Sequence, residues 1–197
     1  MKFFILRARK ILFDVHQKPA TKIRDLYRLK KFKVKHLLLV RHAKSSWDDP
    51  SMADLDRPLN SRGETDAPMM AKRLEEKKIK LDALVSSPAK RARQTCRHFA
   101  KEMDLKKKKI VEELELYEAG PENFYHVIES FKNKWDDVAI FSHNPGITSF
   151  VNSLTETHVD DMPTCAVFAI KADVKKWKDF REAKKEFWFF DYPKHDS

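Results

Sequence analysis

The sequence is poor in glycine and cysteine and has no long apolar run, and each shortage excludes a class of protein. Three glycines among 197 residues cannot supply the glycine-rich loop with which many proteins bind nucleotide phosphates. Two cysteines cannot build a disulfide framework, which favours a reducing, cytoplasmic location over secretion. No apolar run approaches the roughly 18 residues of a transmembrane helix.

Positive charge is abundant, but it is concentrated at one end of the chain. The formal net charge is +10, and residues 1–34 hold eleven Lys and Arg against two Asp, a net of +9. We therefore predict a basic N-terminal extension over residues 1–34, partly helical or disordered, and a nearly neutral domain over residues 35–197. The neutral domain gives no reason to expect nucleic-acid binding. For the extension, contact with a membrane or a nucleic acid and service as an organelle presequence stay open as alternatives.

Short apolar runs alternate along the domain with segments of helical periodicity. The apolar runs predict buried strands at 37–40, 83–85, 138–141, 164–170 and 186–190. The helical segments begin near residues 61, 87, 124 and 147. This alternation predicts an α/β sandwich with a largely parallel sheet.

Two helix starts carry recognisable signals. Ser61 and Glu64 have the spacing of a capping box, but Pro68 conflicts with an uninterrupted helix. Either Thr65 is the true cap, or the helix kinks at the proline. Ser87 followed by proline predicts a cap and first helical residue for the second helix.

Charged side chains follow three of the predicted strands. Arg41 and His42 come after the first strand, Arg91 lies in the first turn of the helix after the second, and His143 and Asn144 come after the third. In open α/β sheets the carboxyl ends of parallel strands form the ligand-binding edge. We therefore expect two arginines and two histidines to meet at one edge of the sheet.

This set of side chains suits a phosphoryl group. Arginine presents a planar fork of donors that pairs with phosphoryl oxygens, and helix N-termini add unpaired amide groups. A histidine can attack phosphorus with one ring nitrogen when the other is held by an acceptor. Two guanidinium groups and a second histidine supply the positive charge that a metal would otherwise bring, so we expect no metal and no cofactor.

The same residues lie in segments that resemble the histidine phosphatase superfamily, which is related to the phosphoglycerate mutases. The matching blocks are LLLVRHAKSSW (37–47), DLDRPLNSRG (54–63), VSSPAKRARQT (85–95) and FSHNPGI (141–147). RHAKSSW, DRPLN, LYEA (116–119) and YPK (192–194) look most like the branch of SixA-type phosphohistidine phosphatases. The resemblance covers about residues 35–194, and Ala43 departs from the commoner glycine of the superfamily.

The resemblance implies a three-layer α/β/α sandwich and a two-step phosphatase reaction. His42 would be the nucleophile that carries a transient phosphohistidine, and water would then release phosphate. The implied catalytic residues are His42, Arg41, Arg91 and His143. The implied substrate-binding residues are Arg57, Asn144, Ser45 and Glu118.

The substrate depends on leaving-group chemistry. An alkoxide leaves poorly without a general acid, whereas the imidazole of a phosphohistidine leaves with little help. The leading hypothesis is therefore a phosphatase acting on phosphohistidine in proteins. The alternative is a phosphatase of small phosphomonoesters with Glu118 as general acid and Glu122 as a second candidate, although a surface or helix-entry position is the commoner interpretation of such a glutamate. A third hypothesis is a phosphate-binding module without turnover.

Four remaining side chains are not assigned a chemical role by the sequence: a tryptophan and an aspartate after the predicted nucleophile, and the two cysteines. Trp47 and Asp48 follow the predicted nucleophile, where they could line the pocket mouth or pack on the domain. Cys96 falls on an apolar helix face and Cys165 inside a predicted strand, and neither has neighbours spaced for zinc.

Overall fold

The computed structural model describes residues 34–195, in which strands alternate with helices. The strands are β1 (Val34–Arg41), β2 (Ala83–Ser86), β3 (Ile110–Glu112), β4 (Asp137–Ser142), β5 (Val167–Asp173) and β6 (Lys185–Asp191). The α-helices are α1 (Ser61–Glu76), α2 (Lys90–Glu102), α3 (Pro121–Glu129) and α4 (Gly146–Asn152). Short 3₁₀ turns lie at Asp54–Asp56, Lys107–Lys109, Leu114–Leu116 and Trp177–Asp179.

The predicted basic extension lies outside the described residues, apart from Val34 at the start of β1, and so do residues 196–197. A division of the chain at residue 34 therefore stays a proposal. No helix between residues 34 and 195 has both the length and the apolar character needed to cross a membrane.

Six strands form one sheet in the order β3-β2-β4-β1-β5-β6. The first four of that order run parallel, and β5 and β6 are antiparallel to their neighbours. The prediction of a mostly parallel sheet is confirmed. At its carboxyl edge Arg41 pairs in register with Ser142, and Ser86 pairs with Phe141, so the ends of β1, β4 and β2 lie side by side.

Helices cover both faces of the sheet. Alternate residues of the central strands point to opposite faces, and both sets are buried because each face has its own helical layer. On one face Leu38 and Val40 pack with the apolar sides of α1 and α2. On the other, Leu37 and Leu39 pack with α3 and α4. The molecule is thus a three-layer α/β/α sandwich, as the family resemblance implied.

Both predicted helix starts need correction. Asn60 caps α1, with its side-chain oxygen accepting the amide hydrogen of Gly63 at 2.9 Å, and the helix runs through Pro68 without interruption. Ser61 is the first helical residue, and Thr65 lies inside the helix. The N-cap of α2 is Ala89 rather than Ser87, because α2 begins at Lys90.

Other element bounds also differ from the sequence-based prediction. Helix α3 begins at Pro121, three residues before the predicted start near residue 124, and β5 begins at Val167 rather than at 164. Cys165 is therefore not in a strand. It lies in a turn with a φ of 64°, and its amide donates to the carbonyl oxygens of Arg41 and His42 at 3.1 and 3.2 Å. The turn thereby fixes the backbone at the end of β1.

Candidate functional site

The carboxyl ends of β1, β4 and β2 bring the four predicted catalytic side chains to one place. Arg41 ends β1 and His42 follows it, His143 follows β4, and Arg91 is the second residue of α2. The side chains of His42, Arg91 and His143 are almost completely buried. The convergence expected from the strand order is therefore present.

His42 is held in one tautomer. Its Nδ1 lies 2.7 Å from the carbonyl oxygen of Ala43, an acceptor, so Nδ1 carries the hydrogen and donates it. Its Nε2 carries no hydrogen, and its lone pair accepts a hydrogen bond from Nε of Arg91 at 3.3 Å. Burial, followed by the nearby charge of His143, lowers the pKa of His42 well below its ordinary value. At neutral pH the ring is thus uncharged, with its unprotonated nitrogen at Nε2, the form that a nucleophilic histidine needs.

His143 is set by Ser87, a residue whose part in the site the sequence did not reveal. The Ser87 hydroxyl oxygen accepts the Ala89 amide hydrogen at 3.3 Å and lies 2.7 Å from Nε2 of His143. We assign the hydroxyl as the donor and Nε2 as the acceptor, so the one hydrogen of the neutral His143 ring lies on Nδ1. Burial, with a further contribution from Arg91, lowers the pKa of His143 to about 3. The two histidine rings lie 5.0 Å apart between centroids, so both are neutral neighbours.

Arg91 links His42 to an acidic residue. While its Nε donates to His42, its Nη1 and Nη2 donate to the backbone oxygen and the carboxylate of Asp54 at 2.6 and 2.8 Å. Asp54 is the second residue that sequence reasoning missed. It is the first residue of the block DLDRPLNSRG, and in the structure it begins a 3₁₀ turn three residues before Arg57.

Arg41, which precedes His42, is held by the segment at residues 161–162. Its Nη1 donates to the Met162 carbonyl oxygen and, at 3.2 Å, to the carboxylate of Asp161. Burial lowers the pKa of Arg41, and Asp161 opposes that shift. Its Nε is buried and has no hydrogen-bond partner among the described residues, and the same is true of Nδ1 of His143. Two unpaired buried donors beside a nucleophile indicate a site for an anion.

A cavity of about 170 Å³ lies over these groups. Its lining residues are Arg41, His42, Lys44, Ser45, Trp47, Arg57, Arg91, His143, Asn144 and Thr164. Three guanidinium groups and one ammonium group therefore surround a space large enough for a phosphoryl group.

Arg57 reaches this cavity from the loop after β1. Its buried guanidinium donates to the Ser45 hydroxyl at 2.8 Å, to the Ser46 carbonyl at 3.1 Å and to the Asp54 carboxylate at 2.9 Å. The ring of Trp47 stacks on this guanidinium group, with Cζ of Arg57 3.2 Å from the ring centroid. Trp47 is otherwise exposed. Trp47 thus lies at the cavity mouth, one of the two positions the sequence allowed for it.

A second cavity of about 570 Å³ adjoins the first and shares Arg91, His143 and Asn144 with it. Glu118 is exposed, has a φ of 52° and lines this larger cavity. Glu122 does not line it and instead forms two hydrogen bonds with Arg181. The structure therefore favours Glu118 over Glu122 as a carboxylate near the substrate.

Asn144 lines both cavities. Its amide nitrogen donates to Asp161 and to the Met162 carbonyl, and its side-chain oxygen accepts from the Thr148 hydroxyl at 2.8 Å. These bonds fix its orientation, although no bond joins it directly to His42.

Within residues 34–195 no group of three His, Cys, Asp or Glu side chains is arranged to hold a metal ion. Both cysteines are buried away from the cavities, and burial raises the pKa of Cys96 to about 12. Neither thiol is an available nucleophile.

The comparison with known proteins agrees with this geometry. Residues 37–121 match the family model of the histidine phosphatase superfamily, branch 1. A chloroplastic protein of Arabidopsis thaliana is 41% identical over 70 residues, which is 36% of this chain and 32% of that protein. The mitochondrial serine/threonine-protein phosphatase Pgam5 of Drosophila sechellia is 35% identical over 97 residues, 49% of this chain and 33% of that protein. The matches span about a third of the length of these relatives.

Solved structures share the fold over most of the chain. The protein histidine phosphatase SixA complexed with tungstate superposes with a TM-score of 0.69 at 20% identity, covering 80% of this chain and 97% of that one. An Agrobacterium tumefaciens protein assigned as a SixA phosphohistidine phosphatase gives 0.67 at 23% identity, covering 81% and 98%. The chain therefore shares the fold of the SixA structures, and its residues 37–121 are similar to the histidine phosphatase superfamily.

Proposed function

We propose that this protein hydrolyses phosphohistidine in other proteins through a phosphoryl intermediate on His42. The observation that carries the proposal is the neutral His42 ring, with its Nε2 lone pair at the cavity in which Arg41 and His143 have unpaired donors. A nucleophile and an anion-binding pocket in contact are the two components that phosphoryl transfer requires.

In the first step Nε2 of His42 attacks phosphorus. The new P–N bond forms as the P–N bond to the substrate breaks. The electron pair of the broken bond leaves with the substrate ring, whose second nitrogen carries a hydrogen, so the ring departs as neutral imidazole. Arg41, Arg57 and Arg91 neutralise the equatorial oxygens, and His143 donates from Nδ1. Ser45 and Asn144 hold Arg57 and the cavity wall in place for the same group.

In the second step water attacks the phosphorus of phospho-His42. The P–N bond to Nε2 breaks, the lone pair returns to His42, and phosphate carries away the oxygen of the water. The positive charge for both steps comes from side chains, so the reaction proposed here needs no metal.

Protein phosphohistidine is the substrate we favour for two reasons. Imidazole leaves from phosphorus more easily than an alkoxide does, so it makes the smallest demand on a general acid. Two of the similar proteins are also named as protein phosphatases, SixA for protein histidine and Pgam5 for protein serine and threonine.

The test is a comparison of two substrates on the full chain. A phosphohistidine peptide and p-nitrophenyl phosphate should both be hydrolysed, the peptide with the higher kcat/KM. His42→Ala should abolish both reactions, and Lys72→Ala on the exposed side of α1 is the matched control. Binding of the peptide without turnover would overturn the proposal in favour of a binding module.

A second function, hydrolysis of small phosphomonoesters, is favoured by one observation. Glu118 lines the larger cavity together with His143, where it could protonate an alkoxide. If this second function is correct, alkyl phosphates turn over faster than the peptide, and Glu118→Gln removes that activity. Unchanged activity of Glu118→Gln on both substrates refutes the alternative.

We also propose a cytoplasmic location, on the grounds of two buried, unpaired cysteines. Because two similar proteins are named as chloroplastic and mitochondrial, the full chain should be imaged as a fluorescent fusion with its tag at the C-terminus. Accumulation inside an organelle would contradict this proposal and favour a presequence in residues 1–34.

A further inference from the structure

Asp54 stands where the two cavities meet. Its carboxylate accepts from Nη2 of Arg91 at 2.8 Å, from Nη1 of Arg57 at 2.9 Å and from the Tyr117 hydroxyl at 3.0 Å. It lines the larger cavity but not the smaller one. Since Arg91 also bonds Nε2 of His42, His42 and this carboxylate are both hydrogen-bonded to a single guanidinium group.

A carboxylate this close to a phosphoryl anion requires a reason. It repels the phosphoryl oxygens, and it occupies one donor of Arg91 and one of Arg57 that could otherwise bind them. A general acid is one such reason, but the surroundings of Asp54 argue against it. Burial raises the pKa of Asp54, yet the hydrogen bonds from Arg91, Tyr117 and Arg57 and the charge of Arg91 together hold this pKa below its usual value.

An ionised carboxylate suits a different leaving group from the one that a general acid suits. It cannot give a proton to an alkoxide, and it disfavours the negative charge that develops there. A phosphohistidine ring can leave as neutral imidazole only if its second ring nitrogen carries a hydrogen, and the ring is then positively charged until the P–N bond breaks. A carboxylate accepting that hydrogen stabilises the protonated ring, which departs as neutral imidazole once the electron pair of the P–N bond has moved onto it.

We propose that Asp54 is the specificity-determining residue that makes this site select phosphorus–nitrogen over phosphorus–oxygen substrates, by accepting the ring N–H of the leaving imidazole. The inference rests on the proposed function and names the group that distinguishes its substrate. The phosphoryl group lies in the cavity of about 170 Å³ and the leaving ring enters the cavity of about 570 Å³ past Asp54. The substrate loses its phosphoryl group to His42, and water later removes that group as phosphate.

The test is the ratio of kcat/KM on two substrates in Asp54→Asn. A phosphohistidine peptide should lose about ten- to a hundredfold, the range of one charge-assisted hydrogen bond. p-Nitrophenyl phosphate, whose leaving anion needs no proton, should change by less than about threefold or react faster. Asp54→Glu, which keeps the charge, should recover part of the preference for the peptide.

Asp161→Asn is the matched control, because it also releases an arginine, Arg41, but does not line the larger cavity. It should change kcat/KM for both substrates by the same factor. Thermal unfolding checks that each variant folds, and Asp54→Ser is a second neutral variant should Asn disturb the loop.

Equal loss on both substrates in Asp54→Asn would overturn this inference, because it would mean that Asp54 only positions Arg91. The proposed function would survive that result. Failure of the unaltered protein to hydrolyse the peptide would instead refute the proposed function itself. The two failures are therefore distinguishable.

Discussion

Gly63→Ala tests whether close packing of α1 holds the loop that follows His42. A Cβ at Gly63 would lie 2.2 Å from the carbonyl oxygen of Lys44, a backbone atom, so helix and loop must separate by about 1 Å. Helix propensity alone predicts that alanine stabilises this position by up to about 1 kcal/mol. Overpacking against backbone costs up to about 3 kcal/mol, so we expect a net loss of about 2 kcal/mol in the free energy of unfolding.

The assay is thermal unfolding followed by circular dichroism. A loss of that size corresponds to a fall in Tm of about 4–8 °C for a domain of this length. Gly120→Ala is the control, because its Cβ would meet only the Asn123 side chain at 3.8 Å and its φ of −89° suits alanine. We expect its Tm to stay within about 2 °C of the unaltered protein. A Gly63→Ala protein as stable as the original, or more stable, would refute the packing argument.

Three further changes have defined outcomes. Burial lowers the pKa of His143 from 6.5 to about 3, so between these pH values only the unfolded chain binds a proton at this residue. As the pH is lowered through this range, the free energy of unfolding should decrease by up to about 1.4 kcal/mol per pH unit. An equally steep decrease in His143→Gln would contradict this. Lys35 is fully buried and donates to two carbonyls and a carboxylate. Lys35→Met should therefore cost about 3–5 kcal/mol in urea unfolding, against about 0.5 for the exposed Lys72→Met, and equal costs would refute the role of burial. Trp47→Ala removes the ring stacked on Arg57 and should raise KM for a phosphopeptide about two- to fivefold, whereas an unchanged KM would place Trp47 outside the site.

The central strands could be predicted because each is buried on both faces and is therefore apolar without interruption. Strand β3 could not, since it has only three residues, Ile110–Glu112, at the half-exposed edge of the sheet. Cys165 was wrongly assigned to a strand because its apolar neighbours continue the pattern of β5. The turn it occupies is fixed by bonds to Arg41 and His42, more than a hundred residues earlier, and no local pattern records them.

The meeting of Arg41, His42, Arg91 and His143 could be predicted because strand direction alone brings strand ends to one edge of a sheet. Asp54 could not, since its position depends on the conformation of a loop and a short 3₁₀ turn. Ser87 had a sequence signal, the cap motif, but the signal predicted the wrong partner. Its hydroxyl binds the Ala89 amide and His143 without being the N-cap of α2.

The most direct test of the central claim is to find the phosphoryl group on the enzyme. The protein is mixed with excess phosphohistidine peptide and quenched within milliseconds in alkaline denaturant, in which a P–N bond survives. Mass spectrometry of the digest should locate one phosphoryl group on His42, and none in His42→Ala. Turnover of the peptide by His42→Ala, or a phosphoryl group on any other residue, would contradict the assignment of Nε2 of His42 as the nucleophile.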